Sequence, residues 1–444
     1  MKSFIILPFI IWIVTCITIW PVQPVDAAPA MHQEYWPPSR CKTCHSAIFD
    51  EHSQSFHEKS FSNPVFQGQY YKELLAGAEK DLGLLTEAKA CIACHSPINF
   101  IELKRPIMSN DQVDPEMSGV TCDFCHTVTG YDGTVPGNGR YIAGPNAERK
   151  FGPFLHEYSW HRGYGQFQMK SEFCGICHNS INRFGLEVKS TYTEWKNSSY
   201  AEKGIQCQDC HMNLVGFLKE GKSVFESGQA ALMPMCDTPY RSILYTHRFP
   251  GAHSKTQVFG ALNVIMAIET EKTRISSGDL IIISVHVDNS KTGHKMPSGS
   301  ADLRQLWLEL EAYSGDKVVS VPIASTVEGR PYDVVGKGPS DEEILGKDIP
   351  KGTRIYRAIF VDKTGKQTLS SYKAERIIFD NRLNPAELRK ERYYFRIPDD
   401  FKDRIFLRAR LIYLPYPTSF ARRFGLPNPE RFEITSATKE LTLH

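Results

Sequence analysis

The sequence predicts an α + β protein of two domains, a mainly helical and irregular domain followed by an all-β domain. All 12 cysteines lie before residue 256, where short helical patterns alternate with turn-rich connections. After that residue, β-branched and aromatic runs are bounded by Gly, Pro, Asp and Asn, as strands usually are. A chain of 444 residues with 41% hydrophobic content is long enough to fold two such domains.

Residues 1–30 predict a secretory signal peptide. Lys2 precedes an apolar run from Phe4 to Trp20, and small residues then surround Ala27 and Ala30. A positive start, an apolar stretch and an A-x-A-like cleavage site are the parts of such a peptide. An uncleaved membrane anchor is the alternative, because the run is near the lower length limit of a spanning helix. We expect a periplasmic or extracellular protein that meets a membrane only during export.

The charge balance excludes one class of partner. The chain has 52 basic and 50 acidic side chains, which gives a formal net charge of +2. Proteins that bind nucleic acid through its phosphates usually carry a clear basic surplus. We therefore expect no nucleic-acid partner.

The spacing of the cysteines indicates which cofactor the chain binds. Ten cysteines form five C-x-x-C pairs, and a histidine follows each pair at once. C-x-x-C-H is the attachment sequence of c-type haem, in which the thiols bind the vinyl groups and the histidine binds iron. Zinc sites combine two C-x-x-C units and need no histidine after each one. The sequence predicts five covalently bound haems, with thioether cysteines Cys41, Cys44, Cys91, Cys94, Cys122, Cys125, Cys174, Cys177, Cys207 and Cys210, and proximal ligands His45, His95, His126, His178 and His211.

Each iron needs a second axial ligand unless the site is open to a substrate. The other histidines are numerous enough to supply one to every haem, so methionine ligation is unnecessary and low reduction potentials are expected. A core or surface histidine is the alternative for each of them. We place His57 on a helix after the first motif. The distal candidates are His57, His161, His247, His253 and His294, with His32, His52 and His156 in reserve.

The domains are predicted at residues 31–255, which carry every motif, and 256–444, which carry none. The first has too little chain per haem to build a separate core, so porphyrin must form much of it. A helical pattern covers residues 70–90. In the second, strands are predicted at 280–287, 306–312, 354–361, 393–397 and 405–414, and we interpret them as an immunoglobulin-like sandwich. This domain buttresses the first and, through His294, lends it a ligand.

With these motifs in place, residues 40–212 resemble the multihaem cytochrome c superfamily. It includes the tetrahaem electron carrier of ammonia oxidisers, hydroxylamine oxidoreductase and pentahaem nitrite reductase. Members often show Trp-x-x-Ser-x-His, whose histidine is a distal ligand, and residues 52–57 resemble it with His52 in the Trp place. A second copy begins at Trp195, with Tyr200 in the histidine place. Pentahaem nitrite reductase has lysine at its catalytic motif, whereas all five motifs here end in histidine, which weighs against ammonia-forming nitrite reduction.

Three functions stay open at this point. The first is an electron carrier between redox proteins, either cytochromes or quinol-linked donors and acceptors, with no catalytic residue. The second is an oxidoreductase that acts on a small nitrogen or sulfur compound at one open haem. The third is a subunit of an extracellular cytochrome filament, in which His32 of one subunit binds a haem of the next; oligomerisation is compatible with all three.

Overall fold

The computed structural model describes residues 34–146, 149–155, 161, 163–232, 238–323 and 332–444. The expected signal peptide and the reserve histidines His32 and His156 lie outside the described residues. Within the described ranges, no helix is long and apolar enough to cross a membrane.

The helices before residue 256 are short and are separated by turns. A π-helical segment, Tyr70–Leu75, follows the third of them. The α-helices of the whole chain are α1 Pro38–Lys42, α2 Ser46–Ser53, α3 Pro64–Gln69, α4 Gly83–His95, α5 Pro97–Leu103, α6 Cys122–Thr127, α7 Ser171–His178, α8 Thr191–Lys196, α9 Ser199–Glu202, α10 Cys207–His211, α11 Lys255–Val258, α12 Asp341–Ile344 and α13 Thr418–Phe424.

Strands dominate after residue 256. Those before it are short hairpins: β1 Gly130–Tyr131, β2 Tyr141–Ile142, β3 Ser180–Ile181, β4 Glu187–Lys189, β5 Glu226–Gln229 and β6 Tyr240–Leu244. Those after it are β7 Asn263–Glu269, β8 Leu280–Asp288, β9 Gln305–Ser314, β10 Lys317–Ser320, β11 Arg354–Tyr356, β12 Ala358–Val361, β13 Arg376–Asp380, β14 Leu388–Arg396, β15 Arg404–Leu414 and β16 Phe432–Thr442.

Two antiparallel sheets share one apolar core in this part of the chain. One has the order β10-β9-β15-β16 with β11 also paired to β9, and the other has the order β14-β8-β7. Alternate side chains of β8, such as Ile283 and Val285, are fully buried against Leu308 and Leu310 of β9. Strand geometry explains the pattern, because successive side chains point to opposite faces of a sheet.

The predicted α + β class is confirmed, and each predicted strand is present. The segment at 354–361 is divided between β11 and β12. Strands β7 and β16 were not predicted from the sequence. They pair with β8 and β15 at the sheet edges. Assignment of the two sheets to the immunoglobulin kind, and the boundary at residue 255, stay predictions.

Two helical expectations were wrong. The pattern at 70–90 is not one helix, because the π-helical segment ends at Leu75 and α4 begins only at Gly83. Between them Asp81 Oδ1 accepts a hydrogen bond from Gly83 N at 3.0 Å, a local contact that favours a turn. His57 does not lie on a helix, because α2 ends at Ser53 and His57 belongs to the turn that follows.

A buried ion pair fixes the loop before α12. Arg357 Nη1 lies 2.6 Å from Asp341 Oδ1, and both side chains are less than 5% exposed. The same carboxylate accepts hydrogen bonds from the Gly336 and Gly338 amides at 2.8 and 2.9 Å. A buried charge without its partner is costly, so this pair constrains the loop strongly.

Replacing Arg357 with Met should lower the free energy of unfolding by about 3–5 kcal/mol, because the Asp341 carboxylate stays buried without its cation. Urea titration of the holoprotein, followed by far-UV circular dichroism, measures the change. The control is Arg404→Met, whose ion pair with Glu440 is exposed and contributes under about 1 kcal/mol. Equal losses in the two variants would contradict this account.

Candidate haem-binding site

Each C-x-x-C-H motif lies on or beside a short helix. Helices α4, α7 and α10 end at the motif histidine, and α6 ends one residue beyond it. On a helix, residues three and four positions apart lie on the same face. The two thiols and the imidazole of a motif are therefore presented to the same side by local structure alone.

The motifs open into one continuous cavity of about 1820 Å³. All ten motif cysteines and all five motif histidines line it. Aromatic side chains such as Phe66, Trp195 and Tyr413 form further parts of the wall. Thiols, imidazoles and apolar rings around a large interior space are the donor set and surroundings that c-type haems need, so the residues fit this group.

Four motif histidines face a second imidazole across this cavity. The ring centroids are 6.4 Å apart for His45 and His161, and 6.2 Å apart for His178 and His57. For His126 and His247 the distance is 6.4 Å, and for His211 and His294 it is 6.2 Å.

These distances suit ligation of one iron from two sides. An imidazole nitrogen binds a metal at about 2 Å, so two imidazoles on opposite sides of one iron have centroids roughly 6 Å apart. Direct stacking would bring the rings much closer, as Phe66 and His95 show with centroids 4.0 Å apart. The space between each histidine pair therefore matches one metal atom.

Backbone carbonyls orient several of these rings. Nδ1 of His45 donates to the Ala230 carbonyl at 2.8 Å, and Nδ1 of His126 donates to the Phe151 carbonyl at 2.6 Å. His95, His247 and His294 make the same kind of bond to Ser60, Tyr245 and Lys295. Since a carbonyl only accepts, Nδ1 carries the proton and the Nε2 lone pair is left for a metal.

Burial keeps these imidazoles neutral. Desolvation lowers the pKa of His57 and of His247 to about 3, and that of His95 and of His211 to about 4. Electrostatic interaction with neighbouring imidazoles adds to this lowering of the pKa, chiefly from His178 for His57 and from His126 for His247. The neutral form is the one that binds metals.

His95 is the exception among the motif histidines. In the described part of the chain no imidazole faces it across the cavity; its ring packs on Phe66. The basic side chain of Lys189 lies near enough to interact electrostatically with Cys91 and Cys94 of the same motif. This motif therefore differs from the other four in what surrounds it.

Two predicted distal candidates lie elsewhere. His253 contacts Phe56 and Tyr416, with ring centroids 5.4 and 5.6 Å away, and faces no motif histidine. The reserve candidate His52 is buried and donates from Nε2 to the Val120 carbonyl at 2.9 Å. That bond occupies the nitrogen that the facing histidines leave free, so the geometry favours a packing role for His52.

The thiols show which motifs are neighbours in space. Cys41 lies close enough to Cys122 to interact with it, as do Cys94 with Cys177 and Cys174 with Cys207. The first motif therefore adjoins the third, the second adjoins the fourth, and the fourth adjoins the fifth. A weaker electrostatic interaction between Cys125 and Cys174 links the third motif to the fourth.

The loop that carries His294 comes from the C-terminal β region and is fastened to α8. Glu194 Oε2 accepts hydrogen bonds from Lys295 N at 3.2 Å and from Ser298 Oγ at 2.7 Å. Its other oxygen lies 2.8 Å from Arg382 Nη1, and both side chains are about 5% exposed or less. Arg382 also donates to the Pro297 carbonyl. The Glu194–Arg382 pair thus fixes the position of the His294 ring.

Lys189, Glu194 and Arg382 were not found from the sequence. Each lies outside the C-x-x-C-H motifs, and no spacing connects Glu194 with a partner 188 residues away. Tyr200, which has the histidine place in the second copy of the resemblance, instead donates its hydroxyl to the Ser290 carbonyl across the same interface.

Comparison with known proteins agrees with this site. The profile of the family described as cytochrome c554 and c-prime matches residues 40–127. The fold is similar to that of a penta-heme cytochrome c552 from Thermochromatium tepidum, with a TM-score of 0.63 and 18% identity over 92% of this chain and 99% of that chain. The sporulation control protein Spo0M from Bacillus subtilis aligns over 42% of this chain and 50% of its own, at 12% identity and a TM-score of 0.16. No curated protein matches the chain.

Replacing Glu194 with Ala should speed amide hydrogen exchange in residues 291–299 by about tenfold or more, because hydrogen bonds to a buried charge are lost there. Exchange mass spectrometry of the holoprotein measures this. Glu433→Ala is the control, since Glu433 pairs with Arg408 at a partly exposed site of the sheet. Unchanged exchange in residues 291–299 of Glu194→Ala would show that the pair does not hold the loop.

Proposed function

We propose that this chain is a member of the multihaem cytochrome c superfamily, which the profile match at residues 40–127 supports, and that it transfers electrons through five covalently attached haems. The observation that carries the proposal is the set of four histidine pairs at 6.2–6.4 Å, each with a C-x-x-C-H histidine as one member. The fifth motif, with His95, opens into the same cavity. Bound haem would supply one-electron redox chemistry.

The protein would contribute ligands, orientation and exclusion of water. In this proposal His161, His57, His247 and His294 complete the coordination of the irons held by His45, His178, His126 and His211. Carbonyl bonds to Nδ1 hold several of these rings in the ligating orientation. Two imidazoles on an iron leave no position for a substrate, which suits these four sites for electron transfer alone.

The thiol contacts support one order of electron transfer. The first motif adjoins the third, and the third, fourth and fifth follow one another. The second motif touches only the fourth through Cys94 and Cys177 among these thiol contacts. We infer a linear route through motifs 1, 3, 4 and 5, with motif 2 as a side branch.

Export, redox partners and location complete the proposal. Thioether attachment in cytochromes goes with an exported protein, which agrees with the signal peptide expected at residues 1–30. The partners would be other redox proteins that exchange electrons at the ends of the route. No observation on the described residues favours the filament alternative, so we do not propose it.

A second function is favoured by the His95 motif alone. Among the described residues no second imidazole faces His95, so a haem held there by His95 would leave a position for a small molecule. The thiol contact to motif 4 would connect that position to the electron route. We infer that this site is where the chain would act as an oxidoreductase on a small molecule.

Replacing His294 with Ala should convert one haem from low-spin to high-spin, because its iron loses one of two imidazoles. Electron paramagnetic resonance of the oxidised holoprotein measures the spin states, and intact mass should show five haems per chain in both proteins. His286→Ala is the control, because His286 lies on β8 and outside the cavity wall. A high-spin fraction in His294→Ala no larger than that of the unmodified protein would remove His294 from the ligand set.

The reduced holoprotein should bind one carbon monoxide per chain, because among the described residues His95 is the motif histidine that no second imidazole faces. Titration followed in the Soret band gives the stoichiometry. The His294→Ala variant should bind a second equivalent. Absence of binding to the unmodified protein would exclude the second function and leave the first intact.

A further inference from the structure

A group of polar side chains lines the cavity beside the His95 motif. Lys189, at the end of β4, donates from Nζ to Ser300 Oγ at 2.7 Å. Both residues line the cavity, as do Cys91 and Cys94, on whose thiols the charge of Lys189 acts. Lys189 also interacts electrostatically with His95. Lys189 is therefore close to the motif whose histidine faces no second imidazole among the described residues.

Arg304 extends this group from the C-terminal side. Its Nη1 donates to the Pro415 carbonyl at 2.7 Å and to His253 Nε2 at 3.2 Å. Its Nε is buried and has no hydrogen-bond partner in the part of the chain that the structure describes. Arg304 also interacts electrostatically with Lys189. A guanidinium with a spare donor thus lines the same cavity.

The charges of this group are not balanced by direct ion pairs. Lys189 and Arg304 donate to a hydroxyl, a carbonyl and an imidazole, all of which are neutral acceptors. The nearby carboxyl of Asp302 interacts with both, and burial raises its pKa. Burial lowers the pKa of Lys189 and the nearby Asp302 opposes this lowering, so two basic groups and at most one carboxylate form a site in an apolar cavity. Such a site is stabilised by an anion.

We propose that Lys189, Ser300 and Arg304 bind a small oxyanion of one negative charge beside the His95 motif. The inference rests on the second function proposed above, and it names the chemical class of that function's substrate. An ammonium, a hydroxyl and a guanidinium together offer several donors to oxygen atoms, and charge-assisted bonds of this kind are strong. His253 is a positioning residue in this scheme, because its Nε2 accepts from Arg304 Nη1.

A haem propionate is the other carboxylate that these donors would suit. The two sources share their chemistry but differ in exchange, since a free oxyanion comes and goes whereas a propionate stays with its haem. Two measurements therefore distinguish a free oxyanion from a haem propionate. They are the binding of added anion and the reduction potentials of the resting protein.

The test is a titration of the oxidised holoprotein with sodium nitrite, followed by the change in the visible spectrum, for the unmodified protein, Lys189→Gln and Arg304→Gln. Each variant should weaken nitrite binding by about tenfold or more, because one charge-assisted bond is lost. Arg408→Gln is the matched control, since Arg408 pairs with Glu433 away from the cavity; it should leave the affinity unchanged.

Carbon monoxide binding to the reduced proteins makes the outcomes distinguishable. One carbon monoxide per chain in every variant, with weaker nitrite binding in Lys189→Gln and Arg304→Gln, supports the oxyanion site. Unchanged nitrite affinity with normal carbon monoxide binding overturns it, and a shifted haem potential in those variants would then assign the donors to a propionate. No carbon monoxide binding to the unmodified protein overturns the second function itself; nitrite binding measured by isothermal titration calorimetry then still judges the oxyanion site.

Discussion

The separation of about 6 Å between paired imidazoles is the constraint on which the rest of this structure depends. Each pair joins segments that are far apart in sequence, so the chain must be held at both sides of the space between them. Short helices present one ring of each pair, and turns or loops present the other. Backbone carbonyls that accept from Nδ1 keep several rings from turning away. Where this pairing fails, at His95, the surroundings change from imidazole to basic side chains.

The C-terminal β region provides the rigidity that the first part of the chain lacks. Its two sheets share a continuous apolar core, whereas the buried apolar groups before residue 256 form smaller separate clusters around the cavity. The loop at residues 291–300 connects the β region to the cavity, and the buried Glu194–Arg382 pair holds this loop in place. A buried ion pair of this kind adds little net stability but penalises any arrangement that separates its members. The β region is thus part of the site and supplies one of its imidazoles.

The environment of the His95 motif separates the two functions. In the proposed function, motifs with two imidazoles would be closed to substrates, and their thiols adjoin one another in a series that suits electron transfer. The His95 motif adjoins this series at one point, Cys94 against Cys177, and lies beside Lys189. A site for a small anion and a route for electrons would then be neighbours without sharing ligands.

The sequence by itself determined most features that depend on neighbouring residues along the chain. Thiols three positions apart and the histidine after them are local, and the alternating apolar runs of β8, β9 and β15 are local as well, so both were predicted. The prediction of one helix at residues 70–90 was wrong because a turn stabilised by Asp81 interrupts it. The tertiary structure alone decided which histidine faces which motif, since the partners lie up to 121 residues apart, as for His57 and His178 or His126 and His247. It also decided that His253 contacts Arg304 and that Lys189 lies beside Cys91 and Cys94, because burial and charge compensation arise only when distant segments pack together.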